Sequence, residues 1–322
     1  MSASITSLHA DKLAKQANIS HVRRNLSLEE SIDSIKNKIK TRGDLPYASM
    51  THQLKLVDEL AQFEIGKFLL QTGGLNGYWT HYAINHPQRG RLTGINSENK
   101  SFTSLESFLL DKAPTALATQ QRFEIFKQEI QKRLHDEMNL ASIPCGLMAE
   151  LLDLDFSQLT NFSILGVDID SESLTQSQQL AKSRELAALC TFIEKDAWDL
   201  NRNEEFDLIT SNGLSIYEPD EQKIIALYRQ FFSALKPKGW LITSFLSPPP
   251  TLEQQTEWDL KMVNSEDALL QKILFVDILE GKWQVFRSEQ TVRSQIEQAG
   301  FEVIEILYDK AHIFPTVIAK KN

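Results

Sequence analysis

Residues 164–170 read ILGVDID, an apolar run that ends on acids, and Phe192–Asp199, FIEKDAWD, follows the same plan after a helical stretch. A strand ending in an acid, a helix, then a second strand ending in an acid is how an α/β fold sets carboxylates at the carboxyl edge of a parallel sheet, where ligands bind. A carboxylate accepts through two oxygens and donates nothing. Asp168 can therefore take both hydroxyls of a ribose, and Asp196 can accept from an exocyclic amine such as that of adenine.

The flanking residues extend this pattern. Leu140–Ile143 predicts a short strand running into Pro144-Cys145-Gly146 and a helical Leu147–Leu152. Phe206–Asn212 and Gly239–Leu246 predict two more strands, joined by a helix with Pro219 near its first turn and Leu235–Gly239 at its end. Ser288 is placed to cap a helix that Gly300 closes, and Phe301–Tyr308 with His312–Lys320 predict an antiparallel hairpin. The expected fold class is α/β, a doubly wound, mostly parallel sheet with a terminal antiparallel hairpin.

Taken in order, the turn Ser142–Gly146, the acid of GVDID, the DAW after the third strand, the SNGL after the fourth, LKPKGWLITSF and the terminal QAGF hairpin carry a resemblance. Over roughly residues 138–322 the chain resembles the class I S-adenosylmethionine-dependent methyltransferases. The resemblance implies a Rossmann-like domain, S-adenosylmethionine as cofactor, and methyl transfer. It places Ser142, Pro144, Cys145 and Gly146 under the methionine portion of the cofactor, Asp168 at the ribose, and Asp196 with the backbone of Ala197 at the adenine. Trp198 either stacks beside the adenine or covers the third helix. Asp170, just past the second strand, is expected near the cofactor as N-cap of a helix over Glu172–Leu189. Asn212 and Tyr217, after the fourth strand, are the candidate catalytic residues, Asn212 also a cofactor contact and Tyr217 an acid/base or an orienting donor. Methyl transfer to a good nucleophile needs mainly proximity and alignment, so a dedicated base is not required.

One departure from the family stands out. Its first loop is usually an acid followed by several glycines, whereas SIPCGLMAE holds one glycine, leaving fewer positions for close backbone approach to a ligand. The same lack disfavours a dinucleotide cofactor, which needs a G-x-G-x-x-G turn for its pyrophosphate.

The remaining composition narrows the function classes. Two cysteines and scattered histidines show no disulfide framework and no metal-ligand spacing, so a metal cofactor is not expected. No apolar run is long enough to span a bilayer, and MSASITSLHADKLAKQ lacks the apolar segment of a signal peptide, so a cytoplasmic location away from membranes is expected. Residues 1–136 carry a net charge of +4 and the rest −13. An acidic catalytic half is unsuited to holding a nucleic-acid backbone. Arg23, Arg24, Lys36, Lys38, Lys40 and Arg42 are interrupted by Glu29, Glu30 and Asp33, which reads as a solvated face.

Residues 1–136 read as an N-terminal helical cap on a methyltransferase domain at 137–322. Ser27 can cap Leu28–Ile39, Ser49 a longer helix that Gly73-Gly74 stop, and Thr103 with Glu106 forms a capping box; Pro114 opens a last helix reaching about Met138. These apolar faces show no evident core of their own and are expected to pack on the catalytic domain. Within the segment, GLNGYWTHYAINHP gathers Tyr78, Trp79, His81 and Tyr82. As a group they suit a lid, with Tyr78 and Trp79 near the sulfonium and His81 and Tyr82 toward the acceptor; singly, each aromatic is as well explained by packing. The long Ser247–Arg287 connection offers Trp258 and Arg287 as acceptor-site residues, with Arg287 facing an acidic group. The leading expectation is methyl transfer to a small-molecule acceptor. The alternatives are a fold docking on a macromolecule through its N-terminal helices, and cofactor binding without catalysis.

Overall fold

The strand-like runs of the sequence become neighbouring strands. In the computed structural model, which describes residues 26–250 and 256–322, they are β1 (Met138–Ser142), β2 (Phe162–Asp168), β3 (Cys190–Glu194), β4 (Phe206–Ser211) and β5 (Leu235–Ser244). β6 (Glu302–Leu307) and β7 (Thr316–Lys320) form the hairpin. The sheet order is β3-β2-β1-β4-β5-β7-β6, with β1 to β5 parallel and β7 antiparallel to both β5 and β6. The expected α/β class and doubly wound, mostly parallel sheet with a terminal hairpin are thus the observed architecture.

β1 lies between β2 and β4, so the strand order reverses there. Register lines up the carboxyl ends around that point: Ser142 is opposite both Gly166 and Thr210, Ser211 is opposite Thr243, and Asp168 is opposite Glu194. A crevice opens at such a reversal because successive connections leave on opposite faces of the sheet. Central strands are buried on both faces, which is why they read as continuous apolar runs: Leu140, Ile164, Leu208 and Ile242 share one core with Phe126, Ile130 and Met148.

The chain forms two compact units. The sheet unit comprises Ala118–Asp259 and Gln284–Asn322; the helical unit comprises the described residues up to Leu117 together with Leu260–Trp283. The boundary therefore differs from the division at 136/137 and falls within the helix Pro114–Gln131, which itself ends short of the expected Met138.

The helical unit contains α1 (Leu28–Arg42), α2 (Met50–Leu60), α3 (Glu64–Thr72), α4 (Gly77–Ile84), α5 (Gly90–Thr93), α6 (Ser104–Asp111) and the start of α7 (Pro114–Gln131). Ser27 and Glu30 make a reciprocal capping box on α1. Thr103 caps α6 through the Glu106 N–H at 3.1 Å, but the Glu106 carboxylate accepts from Asn96 instead of closing a box. The single long helix expected after Ser49 is two: Phe63, fully buried and extended, breaks it. A Cβ on Gly66 would stand 2.1 Å from the Leu60 carbonyl oxygen, so only glycine permits the close approach of α3 to the end of α2.

These helices have a core of their own, contrary to the sequence expectation. Ile39, Val57, Leu60, Phe63, Leu69 and Leu110 are packed together with Ile273, Leu274, Ile278 and Leu279. The missing part of the core came from the connection after β5, far away in sequence. That segment is fixed in the helical unit by polar contacts as well: Gln271 accepts from the Thr115 N–H and hydroxyl at 2.8 Å each, and Arg42 donates to the Asp277 carbonyl at 2.8 Å. Among the described residues, no helix is long and apolar enough to cross a membrane.

Candidate active site

β1 ends on Ser142, and the turn that follows is pinned to β2. The Cys145 N–H donates to the Val167 carbonyl and the Gly146 N–H to Asp168 Oδ2, both at 2.8 Å, while the Ser177 hydroxyl donates to the Gly146 carbonyl at 2.5 Å. Gly146 is left-handed at φ +48°, a conformation glycine adopts without a Cβ penalty. Gly166 has a different reason: an added Cβ would stand 2.7 Å from Phe192 and 3.2 Å from the Cys145 sulfur. The single glycine of the first loop is thus compensated by hydrogen bonds that fix the loop path from β2 and from α9 (Ser171–Ser183). Cys145 is buried, and burial pushes its thiol well above the usual range, so it is a packing residue of this loop and not a nucleophile.

Asp168 is buried at the strand end, and its carboxylate accepts from Gly146 on one oxygen and from the Asp170 N–H at 3.0 Å on the other. Burial, only partly offset by these N–H groups, pushes its carboxyl up to about 6. Asp170 is the N-cap of α9 as expected, accepting from the Glu172 N–H at 3.1 Å and the Ser173 hydroxyl at 2.7 Å; α9 ends at Ser183, before the anticipated Leu189.

After β3, the Asp196 carboxylate accepts from the Trp198 N–H at 3.0 Å in a short 3₁₀ turn, Ala197–Asp199, with Ala197 buried. The Trp198 indole N–H donates to the Lys223 carbonyl at 2.9 Å. The ring edge therefore fastens the turn to α10 (Glu221–Ala234), the helix-covering role expected of it.

Sequence reasoning missed Glu150. On α8 (Ala149–Leu152), this buried acid accepts from the Ser142 hydroxyl at 2.5 Å and the Thr210 hydroxyl at 3.0 Å, and burial raises its carboxyl pKa. It supplies an acid beneath the β1 and β4 ends, where this first loop has serine in place of the usual carboxylate. The signal was present as the last letter of SIPCGLMAE.

Beyond β4, Ser244 donates to Asn212 Oδ1 at 3.3 Å, and Tyr217 closes a 3₁₀ turn that begins at Ser215. Burial pushes the Tyr217 hydroxyl far up, so at neutral pH it is a donor and not a base. Arg122 of α7 reaches the same place, with Nη1 3.4 Å from the Ser244 hydroxyl. The sheet unit thus brings together Ser142, Pro144, Cys145, Gly146, Asp168, Asp170, Asp196, Ala197, Asn212 and Tyr217 along the carboxyl edge of one sheet.

Three expected ligand contacts have structural roles. Arg287 does not await an acidic group: it is buried, its Nη1 donates to the Ser215 carbonyl at 2.7 Å, and its Nη2 to the Glu218 carbonyl. Trp258 is buried and donates its indole N–H to the Ser247 carbonyl at 3.2 Å. Trp79, in the helical unit, is boxed in by Tyr78 and Tyr82 with centroids at 4.9 and 5.3 Å and by Phe68 at 6.2 Å. The aromatic segment is α4, capped by Asn76, with Tyr78 exposed, His81 Nε2 2.7 Å from Asn85 Nδ2, and the Tyr82 hydroxyl pushed up to about 12, chiefly by burial.

Comparison with known proteins agrees with this geometry. The methyltransferase domain family matches residues 134–300, which contain all five parallel strands and every edge residue named above. A solved protein of Bordetella parapertussis, described as a possible exported protein, is 37% identical, with 91% of this chain and 95% of that one covered and a TM-score of 0.84. Magnesium protoporphyrin IX methyltransferase of Synechocystis PCC 6803, solved with bound S-adenosylhomocysteine, is 16% identical over 75% of this chain and 97% of its own, TM-score 0.48. An S-adenosylmethionine-dependent methyltransferase of Clostridium acetobutylicum is 14% identical over 62% and 91%, TM-score 0.44. The chain matches no curated protein. The family match spans more than half the chain, and the strand order, the Asp168 carboxylate and the pinned Cys145–Gly146 turn fit its cofactor: the protein belongs to the class I S-adenosylmethionine-dependent methyltransferases.

Proposed function

We propose that the protein transfers a methyl group to a small-molecule acceptor held at the carboxyl ends of β4 and β5. The observation that carries this is the buried polar cluster there: Ser244, Ser215 and Arg122 are all buried, and Asn212 and Tyr217 are partly so. A site for a nucleic-acid backbone would present its cations outward. A few fixed polar groups held inward suit a compact ligand.

The bound cofactor supplies an electrophilic methyl on a sulfonium. Asp168 would hold the ribose hydroxyls, Asp196 and the Ala197 backbone the adenine, and the Cys145–Gly146 turn the methionine portion. Glu150 keeps the Ser142 and Thr210 hydroxyls fixed under that turn. Tyr217 and Asn212 orient the acceptor, Tyr217 as a donor and Asn212 through its amide. Alignment of acceptor and methyl would supply most of the rate, and a dedicated side-chain base is not required for a good nucleophile.

The test is turnover of methyl-labelled cofactor against a small-molecule extract and a macromolecule fraction side by side. Label is expected in the small molecules; label confined to macromolecules would establish docking through the helical unit instead.

Cofactor affinity should also depend on pH through Asp168. The ionised carboxylate is the form that accepts two hydroxyls, and its free-protein value is raised to about 6. Affinity for S-adenosylhomocysteine should therefore be level above pH 7 and fall as pH drops through 6, by up to about tenfold per pH unit. Calorimetry between pH 5 and 8 checks this; a profile flat to pH 5 would mean that Asp168 does not hold the ribose. Asp196→Asn should weaken binding less than Asp168→Ala, since an amide still offers the adenine amine an acceptor. The reverse ranking in the same titration would reassign the two acids.

A further inference from the structure

Arg122 and Arg287 are equally buried in the sheet unit, both 6% exposed, but their donors are used differently. Arg287 spends its Nη atoms on two main-chain carbonyls. Among the described residues Arg122 has one hydrogen bond, a long one from Nη1 to the Ser244 hydroxyl at 3.4 Å, and its buried Nε–H has no partner. Its guanidinium lies over the Phe314 ring, 4.4 Å from the centroid, so the plane is held while the N–H edge is left for hydrogen bonding. No carboxylate of the described residues makes an ion pair with it. Asp309 acts on it at longer range, but that carboxylate already accepts from the Ala311, Ile313 and Phe314 N–H groups at 3.1, 3.2 and 2.6 Å.

A buried, unpaired guanidinium with five donors is costly to keep, and the cost is relieved when an anion pairs with it. Its position narrows the use: Ser244, which it touches, donates to Asn212, and its charge is felt by Tyr217. We propose that Arg122 is the specificity anchor of the acceptor site, binding a carboxylate or phosphate on the methyl acceptor while Asn212 and Tyr217 face the atom that is methylated. Burial draws the guanidinium down to about 10, so it stays charged at neutral pH and loses part of its burial penalty when an anion binds. This rests on the small-molecule reading above and adds the charge class of the acceptor.

The test divides a small-molecule extract by anion exchange and assays both fractions with methyl-labelled cofactor. Acceptor activity is expected in the retained fraction. Phosphatase treatment then separates the sources: loss of retention identifies a phosphate, unchanged retention a carboxylate. With the active fraction, Arg122→Met should lower kcat/KM by at least about tenfold, mainly through KM, because one or more charge-assisted hydrogen bonds are lost. Affinity for S-adenosylhomocysteine should stay within about twofold of wild type, since Arg122 touches none of the cofactor-side residues. Arg122→Lys, which keeps the charge, should recover part of the KM. Acceptor activity found only in the unretained fraction overturns the proposal and leaves the small-molecule reading intact. Equal kcat/KM in Arg122→Met overturns it as well, as does loss of S-adenosylhomocysteine affinity in both variants, which would make Arg122 a structural residue. Label found only in macromolecules overturns the small-molecule reading itself.

Discussion

Asp168→Ala should weaken S-adenosylhomocysteine binding by about two to four orders of magnitude, the sum of two charge-assisted hydrogen bonds at about 1.5–3 kcal/mol each. Both oxygens of this carboxylate are already oriented by the Gly146 and Asp170 N–H groups, so no reorganisation is needed when hydroxyls arrive. The fold should survive. The substitution leaves the Gly146 and Asp170 N–H groups, among others, without their acceptor, but it also removes a carboxylate that burial disfavours. Isothermal calorimetry with circular dichroism on the same sample separates the two effects. Unchanged affinity in a folded Asp168→Ala protein would mean that the ribose is held elsewhere.

The second large effect concerns stability and not binding. Arg287→Ala removes the donors of the Ser215 and Glu218 carbonyls from a buried position. Two charge-assisted bonds and two newly unsatisfied acceptors should cost about 3 kcal/mol or more. For a unit of this size that lowers the melting temperature by about 10 °C. Arg287→Lys should not rescue it, because an ammonium cannot reproduce the fork that spans the two carbonyls. Differential scanning calorimetry reads the shift. An Arg287→Ala protein with wild-type stability and a raised KM for its acceptor would return Arg287 to the substrate.

How far the sequence was legible follows from the range of the contacts. ILGVDID and FDLITSN announced themselves because a strand buried on both faces is mostly apolar, and Asp170 and Ser288 because an N-cap bonds within its own first turn. The helical unit was misread because its core is closed by Ile273–Leu279, more than a hundred and fifty residues after α7 begins, and no local periodicity reports a partner so distant. Arg287 and Trp258 illustrate the same limit. Their residue types fit a ligand pocket, but main-chain carbonyls claimed their donors, and a sequence does not show which carbonyls are nearby. Glu150 was visible but unread: the family pattern places an acid at the end of β1, and here the acid is eight residues later and reaches back to Ser142 through space.

The cofactor site is built along the β1–β2–β3 edge, and the most direct measurement of it is a crystal structure of the protein with S-adenosylhomocysteine. The ribose hydroxyls are expected within hydrogen-bond distance of both Asp168 oxygens, the adenine amine at Asp196, and the homocysteine portion over the Cys145–Gly146 turn. A ligand seated away from Asp168, or a ribose that reaches neither of its oxygens, would contradict it.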